Sequence, residues 1–171
     1  NAIAEGIINN VRKTIIREQL TDPRFYEQMS LLLDDLIRQS RADSAAYEEF
    51  LRKAEDLAKR VAAKQPDADL PAALHGKREA AVIYNNLPRI LAAADAGLAD
   101  QVAEASPEYA DERLRLALEV DRVMREHAPA GWKGDQAKEA QVLNALFPLL
   151  NRDRAATLAL FELVKNQPGY A

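Results

Sequence analysis

The sequence predicts an all-α protein, and three observations carry that expectation. The 171-residue chain is rich in Ala, Leu, Arg, Glu and Asp, and sparing in glycine and aromatics, which is the profile of a helical protein. Apolar residues recur every three or four positions along most of its length, the spacing of an amphipathic helix. No segment alternates with period two over a useful length, so no sheet is assigned.

A first helix is expected over residues 2–19, with Ile3, Ile7, Val11 and Ile15 on one stripe and Ile8 and Ile16 widening it. Thr21-Asp22-Pro23 stops it and starts the next. Asp22 is placed to accept hydrogen bonds from the free amides of the following turn, and Pro23 suits the first helical position, which needs no donor.

Residues 23–64 then run without glycine or internal proline. Phe25, Met29, Leu32, Leu36, Tyr47, Phe50, Ala54, Leu57 and Val61 stay in helical phase across the polar patch at Ser40 and Asp43. One continuous helix over this stretch would be about 60 Å long, whereas a compact globule of this length has a radius of gyration of only about 15 Å. The expected architecture is therefore an elongated multi-helix bundle, built on an antiparallel helical hairpin with one very long helix. A kink at Asp43-Ser44, where Asp43 or Ser44 would cap a fresh helix, is the alternative.

Residues 65–76 hold Pro66, Pro71, two aspartates and Gly76, and read as a loop and an internal boundary. A smaller helical bundle is expected over 77–171, packed on the hairpin over 1–64. Its helices would run from Lys77 to Leu87, from Pro88 to about Asp95, and from a Ser106 cap to His127. The Trp132 turn, with its glycines, precedes an Asp135-capped helix that ends near Phe147, because Pro148 obstructs its continuation. A last helix over 152–166 precedes Pro168-Gly169.

A net charge of −4 and a pI near 5.3 argue against a domain devoted to gripping nucleic acid. The lack of cysteine removes disulfides and thiolate chemistry, and fits a cytoplasmic origin. No apolar run approaches the roughly twenty residues of a membrane span, and no signal peptide is recognisable. The chain starts at Asn1 rather than Met, and is expected to be a piece of something longer.

Catalytic patterns are absent from the sequence. Gly76-Lys77 is followed by Arg78 and lacks the glycine-rich loop that cradles phosphate. No lysine has Asp or Glu two positions before it, as the common metal-dependent nuclease motif requires. Asp34-Asp35, Glu48-Glu49 and Asp111-Glu112 read as solvated helix surface. His75 and His127 form no metal-binding pair, and no serine lies in a Gly-x-Ser-x-Gly elbow. No catalytic, cofactor-binding or metal-ligating residue is assigned.

Three features remain as contact candidates. Arg12, Lys13 and Arg17 cluster on the first helix, to meet phosphate or acidic protein, or to form an ordinary solvated face. Trp132, with Lys133 beside it, is either an internal anchor or an exposed plug for a partner; the internal anchor is favoured, because the loop has to be pinned. Tyr170 reads as a frayed tail, with a contact as the alternative.

Several stretches, taken in order, resemble the C-terminal region of the restriction (R) subunit of type I restriction-modification enzymes. They are residues 9–16 (NNVRKTII), 22–30 (DPRFYEQMS), Leu32-Leu33, Leu36-Ile37 and 47–51 (YEEFL). Further along, 81–87 (AVIYNNL) is similar to a family Leu-Tyr-Asp-Asn-Leu segment. Trp132-Lys133-Gly134-Asp135, with Lys138, Glu139, Val142 and Ala145, is similar to a Trp-Arg-Gly-Asn stretch and its helix, and 161–167 (FELVKNQ) with Tyr170 to the closing segment. Residues 96–112 are longer and more polar than the family pattern.

The resemblance implies a non-catalytic assembly domain that docks on the methylation and specificity subunits and supports the ATP-driven DNA motor. ATP and Mg would be confined to upstream domains of the parent chain, which resembles an ATP-dependent site-specific deoxyribonuclease. The motor domains of the same chain would be further partners, with DNA secondary and no membrane. A helical DNA-contacting module beside the motor is the alternative.

Overall fold

A computed structural model describes residues 2–42, 47–64, 70–94 and 107–171. Among the described residues all regular structure is helical. The α-helices are α1 (Ala2–Glu18), α2 (Pro23–Ala42), α3 (Tyr47–Ala63), α4 (Arg78–Ala92), α5 (Pro107–His127), α6 (Gln136–Leu146) and α7 (Arg154–Lys165). They fall into two compact units, Asn1–Asp69 and Leu70–Ala171.

In the first unit α1, α2 and α3 each pack on the other two. The very long helix over 23–64 does not form: α3 folds back along α2. Lys53 Nζ lies 3.3 Å from Gln39 Oε1, a pair that one continuous helix would hold about 21 Å apart. Leu36 and Leu57 share a core with Val11, Ile15, Phe25, Tyr26, Met29, Leu33, Ala54 and Val61. The reason lies in what can cover the stripe. A helix as long as α1 reaches about 25 Å, so a rod of about 60 Å would leave more than half its apolar face in water. Folding back lets each half hide the other, and the in-phase pattern that suggested a rod serves a folded pair equally well. Asp43 and Ser44, the site of the alternative kink, lie outside the described residues, as do Ser106 and residues 65–69.

At the start of α2, Asp22 Oδ1 accepts from the Phe25 amide at 3.3 Å, as its position predicts. The stripe of α1 needs correction: Val11 and Ile15 are buried, but Ile3 is 63% and Ile16 69% exposed. Ile16 follows Ile15 by one residue, about 100° around the helix, and so points away from the core.

In the second unit α4 packs against α5 and α7, and α6 against α5 and α7. The core joins Ile83, Leu87, Ile90, Val120, Met124, Trp132, Val142, Leu146, Leu160, Phe161 and Val164. Asp135 and Asp153 cap α6 and α7, accepting from Lys138 N at 3.1 Å and Ala156 N at 2.9 Å. A 3-10 segment, Phe147–Leu150, carries Pro148 and ends at Asn151 in the left-handed region.

Pro88 does not open a new helix as expected; it sits inside α4. A proline there has no N–H to give the carbonyl four residues earlier, which belongs to Tyr84. Arg113 of α5 reaches that oxygen instead, its Nε donating to Tyr84 O at 2.7 Å and a terminal nitrogen to Asn85 O at 3.5 Å. Its guanidinium also lies 3.9 Å from the centre of the Tyr84 ring. A side chain from the neighbouring helix thus supplies the missing donor, which lets α4 continue through the proline.

Arg113→Ala is expected to lower unfolding free energy by about 2 kcal/mol, the range for a charged donor on a carbonyl. In a Pro88→Ala background, where residue 88 regains its own N–H, the same substitution should cost at least about 1 kcal/mol less. Urea unfolding of the four proteins gives the cycle, and equal costs in both backgrounds would refute the substitution of one donor for the other.

Candidate functional site

The predicted contact residues fall into two groups in different units. Arg12, Lys13 and Arg17 all lie on the exposed side of α1, opposite buried Ala4, Val11 and Ile15. Arg17 Nε lies 3.3 Å from Glu18 Oε1, a solvent-exposed pair of little energetic weight. Ile16, 69% exposed, lies on the same side, and Leu20, 62% exposed, follows in the turn after the helix. The face therefore combines three cations with one large aliphatic side chain, and a second stands just beyond the helix end. Sequence reading found the cations and missed the aliphatics, because it counted Ile16 toward the core. The signal was available in the spacing: Ile16 follows Arg12 by four residues and so shares its side of the helix.

Trp132 is fully buried, which settles it as an internal anchor rather than an exposed plug. Its indole nitrogen donates to Tyr170 O at 3.0 Å, and its ring meets Phe161 edge-on at 5.8 Å. Gly131 and Gly134 supply the positive φ angles, 68° and 87°, that let the turn wrap around the ring. Lys133 Nζ donates to Gln167 O at 2.6 Å, and burial depresses its pKa. Glu139 accepts from Gly134 N at 2.9 Å and from Lys165 Nζ at 2.8 Å. Those two donors, Lys165 first, hold its carboxyl below the usual range.

Tyr170 is not a frayed tail; it is 4% exposed. Its hydroxyl donates to Asp121, a carboxylate that also accepts from Arg125 Nε at 3.1 and 3.2 Å. Arg125 reaches onward to Glu79 Oε2 at 2.8 Å. Gly169 passes so close to Glu79 that an added Cβ would lie 1.8 Å from Oε1. Each of these groups is engaged by a neighbour, so the cluster is built to hold the last residues against α4 and α5. No local periodicity announces such a network, in which Arg125 meets Glu79 across 46 residues and Tyr170 meets Asp121 across 49.

Between α2 and α3 a shallow groove of about 320 Å³ is floored by Leu32, Leu36 and Leu57 and rimmed by Asp35, Asp56, Lys53 and Arg60. Among the described residues no group of His, Cys, Asp and Glu is arranged to hold a metal ion, and no helix is long and apolar enough to cross a membrane. No protein-family model, curated protein or solved structure matches this chain.

The Tyr170 phenol is held neutral, its pKa raised first by burial and then by the bond to Asp121. A folded-state pKa above the ordinary 10.0 means that the contribution is complete below about pH 10 and disappears as pH rises further. Tyr170→Phe should cost about 2 kcal/mol at neutral pH. The gap from the parent should narrow above about pH 10, read from Trp132 fluorescence during urea unfolding; a gap independent of pH would contradict the assignment.

Proposed function

We propose that this chain is a helical docking domain from the R subunit of a cytoplasmic type I restriction enzyme, contributing no catalytic group of its own. It would seat on the methylation and specificity subunits and support the ATP-driven motor domains of its parent chain. The observation that carries the reading is the outer face of α1, where Arg12, Lys13 and Arg17 flank exposed Ile16, with exposed Leu20 in the turn just beyond. Two large aliphatic side chains standing in water gain by burial, at about 25 cal/mol per Å² of apolar surface. The surrounding cations favour an acidic partner and penalise a basic one.

The resemblance of residues 9–16 to the R-subunit family falls on this same helix. Trp132 and Lys133, also in a family-like stretch, act differently in this reading. They order the closing segment of the second unit and leave docking to α1.

The DNA-contacting alternative draws on the same three cations. The chain's net charge of −4 counts against it, because duplex binding depends on phosphate neutralisation.

The test is retention of the chain by immobilised methylation and specificity subunits. The parent sequence should be retained, and Arg12→Glu/Lys13→Glu/Arg17→Glu should bind at least about tenfold more weakly, a difference of about 1.4 kcal/mol. Failure of the parent to associate, while longer R-subunit chains do, would overturn the docking reading. Duplex affinity that falls steeply with salt, in place of subunit binding, would install the alternative.

A further inference from the structure

The closing segment of the second unit is held on two sides, by contacts of different kinds. On the inner side fully buried Trp132 donates to Tyr170 O at 3.0 Å, and Lys133 Nζ donates to Gln167 O at 2.6 Å. Asp121, also buried, accepts from the Tyr170 hydroxyl. On the outer side stands an ion pair between two helices. Glu79, in the first turn of α4, meets Arg125, in the last turn of α5, at 2.8 Å.

This pair touches both residues that it spans. The Glu79 carboxyl lies so near Gly169 that a Cβ there would stand 1.8 Å from Oε1 and 2.6 Å from Cδ. The Arg125 guanidinium lies 5.5 Å from the centre of the Tyr170 ring, within reach of a cation–π contact. Its Nε is tied to Asp121 at 3.1 Å. Glu79, Arg125 and Asp121 thus make one bar from α4 to α5 across the segment.

The bar has a weak end. The Arg125 side chain is 49% exposed, and salt screens a pair so open to water. Beneath it, Gln167 and Tyr170 are buried, while Pro168, Gly169 and Ala171 are exposed. So short a stretch, with so little apolar area to bury, belongs to the part of a fold that opens locally.

We infer that the Glu79–Arg125 bridge is a latch: residues 167–171 leave and re-enter their seat while the helices stay folded, and this bridge sets how often. Ionic strength and the charge at Glu79 therefore govern the released fraction. Release bares the Trp132 indole, the Lys133 ammonium and the Asp121 carboxylate together, while α4 to α7 keep their shared core. The device does not rest on the docking reading, which concerns α1 in the other unit.

The experiment is hydrogen exchange followed by NMR. Trp132 is the only tryptophan, so its indole proton reports loss of the bond to Tyr170 in a single signal. The amide of Val120, fully buried in α5, reports unfolding of the helices. Urea below the unfolding transition should leave the indole rate within about twofold of its value in water, while the Val120 amide accelerates steeply. Raising salt from about 0.05 to about 0.5 M should speed the indole at least about threefold. Glu79→Gln keeps the shape and removes the charge; its indole should exchange at least about tenfold faster and respond less to salt.

Gly169→Ala tests the bridge without altering a charge. Gly169 has no positive φ, so alanine fits the backbone there, but its Cβ drives the Glu79 carboxyl off Arg125. The indole should exchange at least about fivefold faster, and in a Glu79→Ala background the same substitution should change the rate by less than about twofold. An indole rate that climbs with urea in step with Val120 overturns the inference, since the segment then leaves only when the whole unit unfolds. Exchange indifferent to salt, or to Glu79→Gln, overturns it as well. So does a Gly169→Ala effect of equal size in both backgrounds.

Discussion

An amphipathic helix has one face that water penalises, and only another element can cover it. That constraint organises this chain. None of α1, α2 and α3 is apolar all round, and together they close a core of ten buried residues from Val11 to Val61. At about 25 cal/mol per Å² of apolar surface removed from water, folding α3 back on α2 outweighs keeping one straight helix, which gains only the few hydrogen bonds lost at the break. The reversal follows from the shortage of cover, since α1 is too short to shield a rod.

The second unit meets a different demand, because its elements leave backbone groups that helices cannot satisfy among themselves. Pro88 deprives Tyr84 of a donor, and Arg113 supplies one from α5. The tail runs on beyond the hydrogen-bond ladder of α7, and Trp132, Lys133 and Asp121 each engage one of its groups. A buried polar group without a partner costs about 1–3 kcal/mol, so each of these bonds matters more by preventing that loss than by its own gain. Long side chains reaching across the bundle are the common device.

Much of this was legible in the sequence and some was not, for identifiable reasons. Helices appear where period and caps agree, as at Asp22-Pro23 and Asp135. Periodicity reports which face is buried but not against what, so the stripe from Phe25 to Val61 fits a rod and a folded pair alike. A proline in sequence signals a break, and its rescue by a residue 25 positions away has no local mark. Tyr170 lay beyond the last periodic segment, where sequence offers no period to read. On α1 the cations were recognisable from composition, while exposed Ile16 was lost to the assumption that isoleucine belongs inside.

The bonds that close the second unit have a consequence for the order in which the chain matures. The core of the first unit is complete once Val61 has been made, since all ten of its buried residues lie between Val11 and Val61. In the second, Asp121 and Trp132 wait for Tyr170, and Glu79 waits for the approach of Gly169. During synthesis, which proceeds from the N-terminal end, the first unit can settle while the second remains open until Gly169 and Tyr170 have emerged. A nascent chain arrested before residue 167 would carry a finished three-helix unit joined to one still lacking its clasp.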